Sequence, residues 1–135
     1  MTALDTNVVL DLLDGDERFA GSVLRVLDAL GEALSIAPIV YAELCARPAW
    51  EAKDVRPFLD GAAITVDWVL GEAVWESAGV AFAAYARRRA KHGDEPRRLI
   101  ADFAIGAHAE RAGSLVTRDA AFYRRAFPKL KVVEP

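Results

Sequence analysis

The sequence predicts a three-layer α/β/α domain in which helices cover both faces of a central, mostly parallel sheet of about five strands. Short apolar segments alternate along the chain with longer segments whose apolar residues recur at helical spacing, and this alternation is typical of parallel sheets. The 135 residues can bury one core, and they contain no repeat, linker or low-complexity tract. We therefore expect a single domain over residues 1–135.

Five strands are predicted from short apolar runs that polar or turn residues interrupt. Their expected bounds are Thr2–Leu4, Leu34–Ala37, Ala62–Val66, Ser114–Thr117 and Lys131–Val133. Helical segments lie between successive strands, which favours parallel pairing.

Seven helices are predicted between and after the strands. Their expected bounds are Val8–Leu13, Phe19–Leu30, Pro38 to about Ala46, Trp50–Leu59, Leu70–Arg89, Pro96 to about Arg111, and Ala120–Phe127. Proline suits the first turn of a helix, which supports the starts at Pro38 and Pro96. Gly113 lies just past the sixth helix, where glycine often ends a helix. Asp94 or Glu95 is expected to cap the helix that begins at Pro96.

The composition indicates a soluble cytoplasmic protein. Hydrophobic residues make up 53% of the chain, which excludes disorder, but apolar runs such as V-A-F-A-A-Y-A are far shorter than the roughly 20 residues that span a membrane. The N-terminus does not resemble a signal peptide, and the single Cys45 suits a reducing compartment. The net charge of -3 argues against a protein that coats nucleic acid, because such proteins are usually basic.

Four acidic residues are expected to approach one edge of the sheet. Asp5 follows the first strand, Glu43 lies on the helix after the second strand, and Asp119 follows the fourth strand. Asp102 lies inside the helix that leads into the fourth strand, and it reaches the same edge if the N-terminal half of that helix lies there. Ligands of open parallel sheets bind beyond the carboxyl ends of the strands. This edge is therefore the predicted functional site.

Each acid also has a structural interpretation. Asp5 or Thr6 could cap the first helix, Asp119 could cap the last, and Glu43 alone could be a solvated helix residue. Asp102 is harder to explain, because Asp is unfavourable inside a helix and a lone buried carboxylate is costly. Converging carboxylates repel by about 4 kcal/mol per pair at about 4 Å in an effective dielectric of about 20. A divalent metal relieves that repulsion, and oxygen ligands without a Cys/His set favour Mg²⁺ or Mn²⁺.

The segments around these acids are L-D-T-N-V-V-L-D-L-L, Y-A-E-L, L-I-A-D-F-A-I-G-A-H-A and L-V-T-R-D-A-A-F. Together they resemble PIN-domain ribonucleases, and more narrowly the VapC toxins of bacterial and archaeal VapBC toxin–antitoxin pairs. The resemblance spans almost the whole chain in family order, although no single segment is decisive. The family fold is an α/β/α sandwich around a parallel sheet, as the segment pattern also predicts.

The resemblance implies roles for particular residues. The acidic metal site would consist of Asp5, Glu43, Asp102 and Asp119, with Mg²⁺ or Mn²⁺ as its ion. Thr6 and Asn7 would shape the first turn, with Asn7 supporting the acids by hydrogen bonding. Thr117 would orient one of the metal ligands.

The implied function is that of a metal-dependent endoribonuclease, the toxin of a toxin–antitoxin module. In-line attack by metal-activated water would leave 5′-phosphate and 3′-hydroxyl ends. No catalytic histidine is needed, and we expect both His92 and His108 at the surface. The implied partners are a VapB-like antitoxin that blocks the acidic groove, an RNA substrate such as tRNA or rRNA, and a second copy of the chain in a homodimer. Arg97, Arg98 and Arg118 are candidates to bind RNA phosphates.

Other functions fit part of the pattern. A phosphatase of the haloacid-dehalogenase type also places an Asp after its first strand, but it uses a second Asp two residues later, where this chain has Asn7. A receiver domain would need paired acids and a late lysine, which are not apparent. A PIN-fold binding module without catalysis is disfavoured by the four intact acids. A metal-dependent DNA nuclease is a further alternative, although PIN relatives of that kind are generally longer.

Overall fold

The computed structural model, which describes residues 1–93 and 95–135, contains within them five strands that form one sheet. The strands are β1 (Thr2–Leu4), β2 (Leu34–Ile36), β3 (Ile64–Val66), β4 (Ser114–Val116) and β5 (Lys131–Val133). They lie in the order β3-β2-β1-β4-β5, and every pairing is parallel. The predicted parallel α/β fold is confirmed, and β1 lies at the centre of the sheet.

Helices connect the strands. Within the described residues they are α1 (Thr6–Asp14), α2 (Ala20–Leu30), α3 (Pro38–Cys45), α4 (Ala52–Gly61), α5 (Glu72–His92), α6 (Ile100–Ala112) and α7 (Ala120–Ala126). Right-handed crossovers, which parallel strands use almost without exception, place α1–α4 on one face of this sheet and α5–α7 on the other. No helix in the described part of the chain is long and apolar enough to cross a membrane.

The predicted bounds are correct to within three residues except at the start of α6. That helix begins at Ile100 rather than at Pro96. The Tyr85 hydroxyl donates to the Pro96 carbonyl at 2.8 Å and accepts from the Arg98 N–H at 2.6 Å, so the segment before Ile100 is bound to α5. The predicted cap is not confirmed. Glu95 instead pairs with Arg88 and Arg125, and Asp94 lies outside the described residues.

Helix α6 is buried along almost its whole length, between α5 and the sheet. Ala109 is fully buried, and a Cβ at Gly106 would overlap the ring of Phe127. The small residues therefore do allow a close approach to α6, but the approaching group at Gly106 is an aromatic ring rather than backbone.

The prediction that His108 lies at the surface is wrong. His108 is 2% exposed, and its Nε2 lies 3.4 Å from Asp67 Oδ2. Burial lowers the pKa of His108, although the Asp67 carboxylate opposes this effect. The prediction failed because α6 is covered on nearly every side, so that its polar positions are not all at the surface. His92, at the end of α5, is exposed as expected.

Candidate active site

Asp5 lies at the carboxyl end of the central strand and is only 6% exposed. It is the N-cap residue of α1, and its Oδ1 accepts a hydrogen bond from the Thr6 backbone N–H at 2.7 Å. Its Oδ2 accepts two more, from Thr117 Oγ1 at 2.6 Å and from Asn7 Nδ2 at 3.1 Å. The cap is therefore Asp5 rather than Thr6. The same carboxylate is the most buried of the four predicted acids.

Asn7 and Thr117 connect the ends of β1 and β4. Asn7 Oδ1 accepts a hydrogen bond from the backbone N–H of Arg118 at 3.2 Å, while its Nδ2 donates to Asp5. Thr117 is fully buried; its hydroxyl donates to Asp5 and accepts from the backbone N–H of Asp119 at 3.0 Å. These bonds fix the Asp5 carboxylate and hold the β4–α7 loop beside it.

Glu43 approaches the same edge from α3, the helix that follows β2. The Thr6 hydroxyl donates a hydrogen bond to Glu43 Oε1 at 2.9 Å. Thr6 is the first residue of α1, so this bond ties α3 to the start of α1. The pKa of Glu43 is raised by partial burial of its carboxylate and by the negative charge of Asp102.

Asp102 lies in the first turn of α6, not in its interior as the sequence indicated. Its Oδ2 accepts a hydrogen bond from the backbone N–H of Leu99 at 3.3 Å. An acid is favourable in a first helical turn, where backbone N–H groups lack partners and the helix dipole is positive. The structural explanation of Asp102 is thus stronger than the sequence suggested. The first turn of α6 also lies close enough to the other acids for the charge of Asp102 to act on Asp5.

Asp119 occupies the N-cap position of α7, but its side chain makes no capping hydrogen bond. Its carboxylate instead forms an ion pair with Arg98, in which Nη1 bonds Oδ2 and Nη2 lies 3.4 Å from Oδ1. The guanidinium carbon of Arg98 lies 4.2 Å from the centre of the Phe122 ring. Asp119 is therefore engaged by a cation of the protein itself.

The acids influence one another electrostatically. Burial raises the pKa of Asp5 to about 6, with the charges of Asp102 and Glu43 adding to the effect and the hydrogen bonds from Thr117 and Thr6 opposing it. Burial also raises the pKa of Asp102, and the charge of Asp119 contributes. Burial is thus the main cause of the raised pKa values, and the neighbouring negative charges add to it.

The sequence profile of the PIN domain matches residues 2–128. The chain belongs to the PIN domain family. PIN domains are generally nucleases. The matched range runs from β1 through α7 and includes all four acids.

Solved structures share this PIN fold. VapBC2 from Rickettsia felis, bound to a DNA fragment from its promoter, contains a chain 17% identical to this one, with a TM-score of 0.67 over 98% of this chain and 97% of that chain. A toxin–antitoxin complex from Klebsiella pneumoniae gives 19% identity and a TM-score of 0.63 over 98% and 96% of the two chains. FitAcB from Neisseria gonorrhoeae gives 24% identity and a TM-score of 0.59 over the same two shares, 98% and 96%. No curated protein sequence matches this chain significantly.

Tyr123 is a site residue of this PIN domain that the sequence analysis missed. It is 1% exposed, and its hydroxyl lies near the Asp5 carboxylate without forming a hydrogen bond of normal geometry to any described residue. Burial raises the pKa of Tyr123, and the charges of Asp5, Asp102 and Asp119 raise it further. Its spacing of four residues from Asp119 places the two on one side of α7, but the same spacing is equally typical of a core residue, and Tyr123 does belong to the core.

The donor set of the PIN domain suits a hard divalent cation. Its carboxylate oxygens are the ligands that Mg²⁺ and Mn²⁺ prefer, and the buried Tyr123 hydroxyl, which has no hydrogen-bond partner of normal geometry among the described residues, lies near the Asp5 carboxylate. Among residues 1–93 and 95–135, however, no three acidic, histidine or cysteine side chains are already gathered closely enough to hold a metal. These residues are therefore of the chemical type that binds such an ion, but the Asp119 carboxylate is paired with Arg98.

The other two candidate arginines have different surroundings. Arg118 forms an ion pair with Asp11, with Nε at 2.8 Å from Oδ2, and its guanidinium lies 4.2 Å from the centre of the Phe19 ring. Asp11 is 4% exposed, so Arg118 links the β4–α7 loop to α1. Arg97 is exposed beside the start of α6.

Proposed function

We propose that this PIN domain is a Mg²⁺- or Mn²⁺-dependent endoribonuclease and the toxin of a VapBC-type toxin–antitoxin module. The observation that carries the proposal is the approach of four acids to the carboxyl edge of the sheet, where burial and mutual repulsion raise the pKa of Asp5 to about 6. A bound cation favours the ionised form of a carboxylate and would therefore offset both the burial and the repulsion.

Asp5, Asp102 and Asp119 would hold the metal, with Glu43 beside them. When bound, the metal lowers the pKa of water and stabilises charge on the scissile phosphate. The protein's own residues fix the carboxylates, since Asp5 accepts three hydrogen bonds from its surroundings. Glu43, whose pKa is raised and whose Oε1 accepts a hydrogen bond from Thr6, is suited to take a proton from the attacking water.

The toxin role is supported by likeness of fold and by sequence motifs. The chain shares its fold with VapBC2 from Rickettsia felis and with a chain of a toxin–antitoxin complex from Klebsiella pneumoniae. The resemblance of its four acidic segments to PIN-domain ribonucleases favours RNA over DNA. By the same resemblance, we propose a VapB-like antitoxin that covers the acidic edge, and a homodimer as the state of the free toxin.

The first prediction is that Asp5→Asn and Asp102→Asn each abolish RNA cleavage by the purified protein in Mg²⁺ or Mn²⁺. Replacing a ligand should reduce the rate by more than the roughly 10- to 100-fold that an outer partner of a ligand typically contributes. Cleavage of single-stranded RNA would be followed on denaturing gels, with EDTA as the metal-free comparison.

Asp60→Asn is the matched control. Asp60 is exposed at the end of α4, so this variant loses the same charge away from the acids and should cleave RNA like the wild type. Circular dichroism would verify that all three variants fold. Undiminished cleavage by folded Asp5→Asn or Asp102→Asn protein contradicts the proposed function.

A further inference from the structure

Arg98 places a positive charge inside the acidic edge. Both of its terminal nitrogens face the Asp119 carboxylate, and the nearby charge of Asp102 also acts on it. Burial alone would lower the pKa of Arg98, but the bond to Asp119 and these negative charges raise it. The guanidinium is therefore permanently charged, and it neutralises part of the site.

The backbone of Arg98 is anchored, while its charge is carried by a long side chain. The Arg98 N–H donates a hydrogen bond to the Tyr85 hydroxyl at 2.6 Å, and that hydroxyl donates to the Pro96 carbonyl at 2.8 Å. Tyr85 is 5% exposed and belongs to the core. Movement of the Arg98 charge therefore requires a change of side-chain rotamer rather than movement of the loop.

Asp119 is connected to the other acids by contacts that do not involve Arg98. Its backbone N–H and the Asp5 carboxylate bind the same Thr117 hydroxyl. Tyr123, which is buried and without a hydrogen-bond partner among the described residues, is close enough to Asp5, Asp102 and Asp119 to be affected by their charges. Two separate observations thus place Asp119 with this group, yet its carboxylate is held by Arg98.

We propose that Arg98 is an internal counter-ion that competes with the divalent metal for Asp119 and, once displaced, binds a phosphate of the RNA. This inference rests on the metal site of the proposed function. Asp119 exchanges the guanidinium for the metal, and the displaced guanidinium stays near the site because Tyr85 holds its backbone. Guanidinium groups bind phosphate through paired, charge-assisted hydrogen bonds. Metal binding and RNA binding are thereby coupled through one side chain.

The test compares Arg98→Gln with Arg97→Gln, which removes the same charge from the neighbouring, exposed residue. Binding of Mn²⁺ alone to the RNA-free protein would be measured by isothermal titration calorimetry. Arg98→Gln should bind Mn²⁺ roughly three- to tenfold more tightly than the wild type, as expected for loss of a competing, partly exposed ion pair. Arg97→Gln should change the affinity less than about twofold. Arg98→Gln protein that binds no more tightly than Arg97→Gln overturns the proposal.

A double-mutant cycle locates the competition at Asp119. In an Asp119→Asn background the guanidinium has lost its acidic partner, so Arg98→Gln should no longer increase the Mn²⁺ affinity. An undiminished increase in that background contradicts competition for Asp119. Melting temperatures of the metal-free variants would establish that each is folded.

A second titration tests the release of Arg98 to RNA. Binding of a short single-stranded RNA would be measured in EDTA and in Ca²⁺. Arg98→Gln should weaken RNA binding roughly three- to tenfold in Ca²⁺ but little in EDTA, because in EDTA the guanidinium stays with Asp119. An equal loss under both conditions overturns the exchange.

The Mn²⁺ titration separates this inference from the proposed function. Tighter Mn²⁺ binding by Arg98→Gln, in a protein that cleaves no RNA, would support the counter-ion and contradict the ribonuclease. Loss of RNA cleavage in Asp5→Asn without any effect of Arg98→Gln on Mn²⁺ affinity would support the ribonuclease and contradict the counter-ion.

Discussion

The carboxylate of Asp5 combines a structural and a chemical property in one residue. It caps α1 and binds a hydroxyl from the end of β4, yet these bonds do not offset the effect of burial on its pKa. A helix cap on the protein surface keeps its ordinary charge, because water solvates it. Asp5 is instead destabilised as an anion, which is the condition under which a cation binds most favourably.

The raised pKa of Asp5 predicts a dependence of stability on pH. Between its ordinary value of 3.8 and the native value of about 6, the native state holds a proton at Asp5 that the unfolded chain has released, so stability falls as the pH rises through this range. Asp5→Asn cannot titrate there. The unfolding free energy of this variant minus that of the wild type should therefore increase by on the order of 2 kcal/mol between about pH 4.5 and about pH 7.5.

Urea denaturation of both proteins in EDTA measures this difference. Using the difference cancels the groups that do not interact with Asp5. Glu43 and Asp102 do interact with it, and their own pKa values are raised in the same direction, so the difference reports Asp5 together with its coupling to these two acids. A difference that stays constant over the whole range contradicts the account of Asp5.

Individual residues of the site differ in how far the sequence predicts them. Asp5 and Asp119 are predictable, because each follows a strand and the ends of parallel strands meet at one edge. Arg98 appeared only as a candidate phosphate ligand, because its pairing with Asp119 and the bond from its backbone to Tyr85 join residues that are distant in sequence. Tyr123 is an aromatic residue in a short helix, so its pattern alone does not distinguish a core residue from a site residue.

Among the elements, α6 does most to position the site. It packs along α5 and over β1 and β4, and its first turn carries Asp102 to the sheet edge. The packing depends on Gly106, where the ring of Phe127 lies directly against the helix. A shift of α6 along its axis would move Asp102 relative to Asp5.

Gly106→Ala should therefore destabilise the fold, by about 1–3 kcal/mol, because the added methyl group overlaps a buried ring. Gly79→Ala is the matched control, since Gly79 lies within α5 and an added methyl group meets no atom within 4 Å. That variant should be more stable than the wild type by up to about 1 kcal/mol, as alanine is the better helix former. Chemical denaturation measures both, and equal effects of the two substitutions contradict this packing.

The start of α6 is the element boundary that the sequence predicted least well. Pro96 suits a first helical turn by its local preference, but the Tyr85 hydroxyl, eleven residues earlier, binds its carbonyl. A contact with another helix thus overrode the local signal. The remaining bounds follow local pattern and capping, which explains why they were predicted to within three residues.

At the scale of the whole molecule, strand order explains why the acids meet. Strand β1 pairs with β2 on one side and with β4 on the other. The segments after these three strands are therefore neighbours, and they carry Asp5, Glu43 and Asp119. The sequence predicted parallel strands and a shared edge, but not this order, because short strands of similar composition do not specify which of them pair.

The central claim is that the acids at this edge form a divalent-metal site, and thermal denaturation with Mn²⁺ tests it most directly. A ligand that binds only the native state raises the melting temperature, by about 4–6 °C for a domain of this size at a concentration tenfold above its Kd. The wild type and Asp60→Asn should both show this rise, whereas Asp5→Asn and Asp102→Asn should shift by less than about 1 °C. Equal shifts in all four proteins would place the bound metal elsewhere and contradict the account.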